Sequence, residues 1–169
     1  MTESTIKPGA APAFEIINHV AGLAATSSDL WLVDIWGVMH NGVRPFAEAV
    51  DACERFRAAG GTVLLLSNAP RPAASVAQQL DRIGVARAAY DAIISSGDAA
   101  RASIATAVGE GRSIGHIGPE RDRPLFDGLG ARFAELEAAD VAVCTGLFDD
   151  ETDTPDDYAA RLGALSAIR

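Results

Sequence analysis

The chain is short of cysteine, of positive charge and of long apolar runs, and each shortage excludes something. Cys53 and Cys144 are the only cysteines in 169 residues, too far apart in sequence to form a metal-ligand spacing. A reduced, cytoplasmic protein is the expectation. Lys and Arg total 14 against 23 Asp and Glu, a formal charge of −9. That balance argues against nucleic acid as a partner held by bulk electrostatics. No apolar stretch approaches the ~20 residues that cross a bilayer. The start, Met1-Thr2-Glu3-Ser4, lacks the basic segment and apolar run of a signal peptide, so no membrane partner is expected. There is no internal repeat. What is present is apolar content of 49%, enough for a substantial core, in a length that fits one domain plus part of another.

Strand and helix patterns alternate along the chain. After a loose leader over residues 1–13, Phe14, Ile17, Val20 and Leu23 have helical spacing, with His19 on a solvated face. A strand over Trp31–Asp34 follows. Pro45 opens a helix whose stripe is Phe46, Ala49, Val50, Cys53 and Phe56, and Gly60-Gly61 stops it. Cys53 on that stripe reads as core. Thr62–Leu66 is a continuous apolar run, as in a parallel sheet covered on both faces, and it ends at Ser67-Asn68. Pro72 begins a helix that stops at Gly84. Ala92–Ile94 is a third strand, leading through Ser95-Ser96-Gly97-Asp98 into a helix to Ala107. After the turn at Gly109–Gly111 a second β/α pattern begins: strand Ser113–Ile117, helix Pro119–Leu129, strand Val141–Cys144, and a helix capped by Thr154 with Pro155 at its first position. The alternation predicts an α/β, Rossmann-like parallel sheet. Two looser patterns carry little. Gly109, Gly111 and Gly115 miss the dinucleotide spacing, and the acids Asp149–Asp153 lack the glycine of a calcium loop.

The organising stretch is Leu32–Gly42. It is a buried-strand pattern ending at the carboxylate of Asp34, followed by Gly37 and the turn signal Asn41-Gly42. The carboxyl end of such a strand is where open α/β sheets bind ligands. Asp34-Ile35-Trp36-Gly37-Val38, with Ser67-Asn68 one helix and one strand later, resembles the haloacid dehalogenase (HAD) superfamily, specifically its class IIA (NagD-like) hydrolases. Their first motif is Asp-x-Asp-Gly-Val and their second a Ser or Thr usually followed by Asn. Trp36 departs from the pattern by standing where the family has its second Asp.

The resemblance implies a HAD core over 30–98, after a leader and helix over 1–29, and the start of an α/β (C2-type) cap over 99–169. It implies a phosphatase acting on a small phosphorylated metabolite. Asp34 is the expected nucleophile, forming an aspartyl phosphate. Gly37, Ser67 and Asn68 are the expected phosphate-binding residues. Mg²⁺ is the expected cofactor, held by Asp34 and the main-chain carbonyl of Trp36. An indole cannot replace the family's general acid, because its N–H is a donor without useful acidity. His40 in the flap is expected to face solvent, and His116 to lack a partner. The family's later Lys and Gly-Asp-x-x-x-Thr-Asp stretch have no counterpart, since no Lys follows Lys7. The chain therefore reads as the front half of such an enzyme, with self-association at an unpaired sheet edge as an allowed outcome. The rival reading is a catalytically inactive relative that binds a phosphorylated ligand or a partner. A receiver-like domain fits less well, having neither flap nor second α/β unit.

Overall fold

The structure, a computed structural model, describes residues 29–146, 148–149 and 152–166. The expected helix around Phe14–Leu23, with His19, lies outside these residues. Strand β1 (Leu30–Asp34) pairs in parallel with β2 (Thr62–Ser67), and β2 pairs in parallel with β3 (Ala92–Ser95). Helix α1 (Ala47–Ala58) joins the first pair and α2 (Ala73–Ile83) the second. Helix α3 (Ser96–Gly109) leads to a second, two-stranded parallel sheet, β4 (Ile114–Ile117) with β5 (Val141–Cys144), and α4 (Pro155–Ser166) follows. The α/β architecture with parallel strands is as the alternation predicts. The boundary expected at residue 98/99 falls in the first turn of α3, so one unbroken helix begins at the three-stranded sheet and runs to the second unit.

One face of the three-stranded sheet holds the main core. Val63 and Leu65 are fully buried, and Trp31, Val33 and Ile93 pack around them with Cys53, Phe56, Val76 and Leu80 from the two helices. The Trp31 and Phe56 rings stack at 4.0 Å with nearly parallel planes. The turn after α1 is shaped around this pair: Gly60 takes a positive φ of 98°, and a Cβ on Gly61 would collide with the Phe56 ring. The opposite face is more open. Leu32 is 60% exposed and Ile94 51%, so the expectation of a sheet covered on both faces is not met among the described residues. An apolar run in β2 is consistent with either case, because periodicity reports hydrophobicity and not which neighbour supplies the cover.

The helix starting at Pro45 begins two residues later, at Ala47. Gly84 closes α2 in the left-handed conformation, as its position predicts. The segment expected as a helix over Pro119–Leu129 is instead a 3₁₀ turn, Glu120–Phe126. Pro124 lies inside it and has no N–H to give, and Gly128 and Gly130 beyond it take positive φ. His116 has partners after all: its Nε2 lies 3.0 Å from Thr145 Oγ1, and its ring meets Phe126 edge-on.

Removing the Phe56 ring leaves Trp31 without its stacking partner and opens a cavity between α1 and the sheet. Phe56→Ala is expected to cost about 3–5 kcal/mol of unfolding free energy. Urea denaturation followed by near-ultraviolet circular dichroism measures it. A loss below about 1 kcal/mol would mean that the α1 interface does not carry the core.

Candidate active site

Strand register places the site. Asp34 is opposite Leu66, and Ser67 is opposite Ser95, so the last residues of three parallel strands share one carboxyl edge. A cavity of about 640 Å³ opens there. Asp34, Trp36, His40, Ser67, Asn68, Arg71 and Gln79 are its polar and aromatic lining. The structure thus brings together Asp34, Trp36, Ser67 and Asn68, all singled out from sequence. Gly37 lies outside the lining. Its φ is 77°, and its N–H donates to the His40 carbonyl at 2.9 Å, inside the flap.

Asp34 is exposed at the strand end, and its Oδ1 accepts from the Ile35 N–H at 2.9 Å. That bond engages Oδ1 of the carboxylate, which lines the cavity. Ser67 Oγ accepts from the Ala69 N–H at 3.1 Å, which leaves the hydroxyl proton free to donate. The flap is a compact turn. Met39 N–H returns to the Ile35 carbonyl at 2.9 Å, and Asn41 Oδ1 accepts from Val43 and Arg44 N–H at 3.0 and 2.9 Å. Trp36 is 64% exposed. Its ring meets His40 edge-on and lies over Gly42, where an added Cβ would come within 2.7 Å of the indole.

His40 departs from expectation. It is only 2% exposed, although it belongs to a flap. Its Nδ1 accepts from the Gly42 N–H at 2.8 Å, so the neutral ring carries its proton on Nε2. Burial holds its pKa below the ordinary histidine value. Sequence proximity located His40 in the flap; the Gly42 N–H that donates to its ring, which only the fold reveals, gives the buried imidazole a partner.

Arg71 is the residue that sequence reading missed. It is half-buried, it lines the cavity, and its Nη2 donates to Gln79 Oε1 at 2.7 Å. Among the described residues it has no carboxylate partner, whereas Arg55, Arg57 and Arg87 each hold an aspartate. The available signal was its place: the first cation after Ser67-Asn68, directly before the proline that opens α2.

A haloacid dehalogenase-like hydrolase family profile matches residues 31–132, more than half of the chain. The chain belongs to the haloacid dehalogenase-like hydrolase family. Among solved structures it is similar to a haloacid dehalogenase-like hydrolase from Brucella suis 1330, at 40% identity and TM-score 0.81, covering 91% of this chain and 57% of that one. It shares its fold with a 4-nitrophenylphosphatase from Thermotoga maritima (19% identity, TM-score 0.57, 83% and 51% covered). A glycerol phosphate phosphatase from Mycobacterium tuberculosis, solved with calcium, also shares it (21%, TM-score 0.55, 82% and 40% covered). A search of curated proteins returned no match. The HAD chain spans roughly half the length of these solved relatives, 57%, 51% and 40% of them respectively. The class IIA resemblance read from Asp34–Val38 and Ser67-Asn68 is borne out. No helix among the described residues is long and apolar enough to cross a membrane.

A depressed histidine pKa has a defined consequence. Between the folded value and about 6.5 the unfolded chain binds a proton that the folded His40 refuses, so stability is full above about pH 6.5 and declines as pH falls below it. His116, also lowered by burial first, adds in the same direction. NMR titration of the ring protons is expected to give His40 a midpoint below about 6.5. A midpoint above that value would mean the imidazole is charged and the flap geometry is different.

Proposed function

We propose that this HAD-family chain carries the nucleophile-bearing part of a phosphatase for a small phosphorylated metabolite. The observation that carries the reading is the meeting of Asp34, Ser67 and Arg71 in one cavity at the carboxyl edge of the sheet. In this reading Asp34 Oδ2 attacks phosphorus in line with the ester oxygen. The Oδ2–P bond forms as the P–O ester bond breaks. Water then attacks the aspartyl phosphate, releasing inorganic phosphate and restoring the carboxylate. Ser67 Oγ–H, Asn68 and the Arg71 guanidinium are the groups placed to bind phosphoryl oxygens. Gly37 belongs to the same proposed set through the main chain of the flap, where its N–H donates to the His40 carbonyl in this ligand-free structure.

Mg²⁺ fits this donor set in part. Among the described residues there is no group of three metal-ligating side chains. Mg²⁺, however, is commonly held by one or two carboxylates, with waters and substrate phosphate completing the shell. Asp34 and the Trp36 carbonyl would hold it here. When bound, it neutralises charge on the phosphoryl oxygens.

The leaving oxygen has no evident acid. Trp36 cannot supply a proton, and His40, neutral with Nδ1 engaged, is a hydrogen-bond donor with little acidity. General acid catalysis is worth ~10²–10⁴-fold, so alkyl phosphates should turn over slowly. Aryl phosphates leave as stabilised phenolates and depend on the acid less. The same gap favours a second reading, a relative that binds a phosphorylated ligand without hydrolysing it.

Steady-state rates on a paired aryl and alkyl phosphate distinguish the two. In a version of the chain supplied with the family's later Lys and Gly-Asp stretch, a strong aryl preference is expected, Asp34→Asn should abolish both activities, and Trp36→Asp should raise alkyl turnover far more than aryl. Equal, brisk turnover of both substrates would contradict the absence of an acid. Phosphate binding with no turnover of either would establish the binding-only relative.

A further inference from the structure

The loop that carries Ser67, Asn68 and Arg71 is held from an unexpected side. It runs from the end of β2 to Ala73, the first residue of α2. The residue at the N-cap of α2 is Pro72, which has no side-chain acceptor and makes no side-chain cap hydrogen bond. The acceptor comes from another helix: Asp98 Oδ2, in the first turn of α3, receives the Ala73 N–H at 3.0 Å. Asp98 is itself fixed by Ser95. Its N–H donates to Ser95 Oγ at 3.0 Å, and the Ser95 hydroxyl donates to Asp98 Oδ2 at 3.1 Å. One carboxylate thus caps α2 directly and supports the Ser95 cap of α3 through the Ser95 hydroxyl. Beside it, the Gly97 N–H donates to the Ala69 carbonyl at 3.1 Å. Gly97 is buried, and a Cβ there would overlap the backbone of Arg71 itself. Only glycine lets the loop lie this close to α3.

We propose that Gly97 and Asp98 are positioning residues for the Ser67–Ala73 loop, setting where Ser67 and Arg71 stand against Asp34. The inference rests on the phosphate-site reading for its functional consequence and on geometry alone for the latch. It extends further along the chain. Helix α3 also carries Arg101, whose guanidinium donates to the Leu125 and Asp127 carbonyls at 2.6 and 2.9 Å in the second unit. The helix that grips the second unit is therefore the helix that grips the loop.

Asp98→Ala and Asp98→Asn separate the possibilities. Asn keeps a carbonyl oxygen where Oδ2 stands, so it retains the acceptor for Ala73 and Ser95, whereas Ala removes it. Amide hydrogen exchange on ligand-free protein is expected to show the Ala73 amide and its loop neighbours exchanging at least about tenfold faster in Asp98→Ala than in wild type, with Asp98→Asn near wild type. Affinity for inorganic phosphate with Mg²⁺ present, measured by calorimetry, is expected to fall about tenfold in Asp98→Ala and to be rescued by Asn. Unchanged Ala73 exchange in Asp98→Ala would overturn the latch. A loosened loop with undiminished phosphate affinity would overturn its role in positioning. Wild-type protein that binds no phosphate would instead sink the phosphate-site reading, and hydrogen exchange would still decide the latch.

Discussion

The parallel register of β1, β2 and β3 is the constraint on which the site depends. Aligning Asp34 with Leu66 and Ser67 with Ser95 puts a carboxylate, a hydroxyl and the start of α3 at one edge. Side chains alternate across a strand, so a slip of one residue would move Val63 and Leu65 out of the core and Asp34 away from Ser67 together. Burial of the Val63–Leu65 face against α1 and α2 therefore specifies the site as well as the fold. The Trp31–Phe56 stack and the Gly60-Gly61 turn anchor the same register from the far end of β1.

Around that edge the chain uses its backbone more than its charges. The flap is closed by main-chain donors to Ile35, Met39 and His40 carbonyls and by Asn41 and His40 side chains. Burial holds its histidine's pKa below the ordinary value, and the Gly42 N–H occupies Nδ1. Most guanidiniums are committed elsewhere. Arg57 holds Asp91, drawing the Asp91 carboxyl below its usual range, and Arg87 does the same to Asp81. Among the described residues Arg71 alone brings positive charge to the cavity lining, in a chain of net charge −9. A lone cation held by neutral Gln79 keeps its charge available to an anionic ligand.

Much of this was legible in the sequence because local chemistry and tertiary structure agree. Gly84 and Pro72 mark the ends of α2, and the apolar runs at Leu32, Leu65 and Ile93 mark three strands. The motif residues Asp34, Trp36, Ser67 and Asn68 converge because each lies at or just beyond a strand end. What was not legible depended on partners distant in sequence. His40 looks like a surface residue until Gly42 is seen to turn its N–H inward. His116 acquires Thr145 only when β4 and β5 pair. The helical pattern at Pro119–Leu129 loses to Pro124, a case of one missing donor outweighing periodicity. Arg71 carries no motif signature, and its importance follows from the cavity it enters.

The central claim is that Asp34 forms a covalent bond to phosphorus. The most direct measurement is mass spectrometry of peptides from protein quenched in acid during exposure to an aryl phosphate and Mg²⁺. The account predicts one added phosphoryl group on the peptide containing Asp34, absent in Asp34→Asn. Aryl phosphate hydrolysis with no adduct at Asp34, or an adduct on another residue that persists in Asp34→Asn, would contradict it.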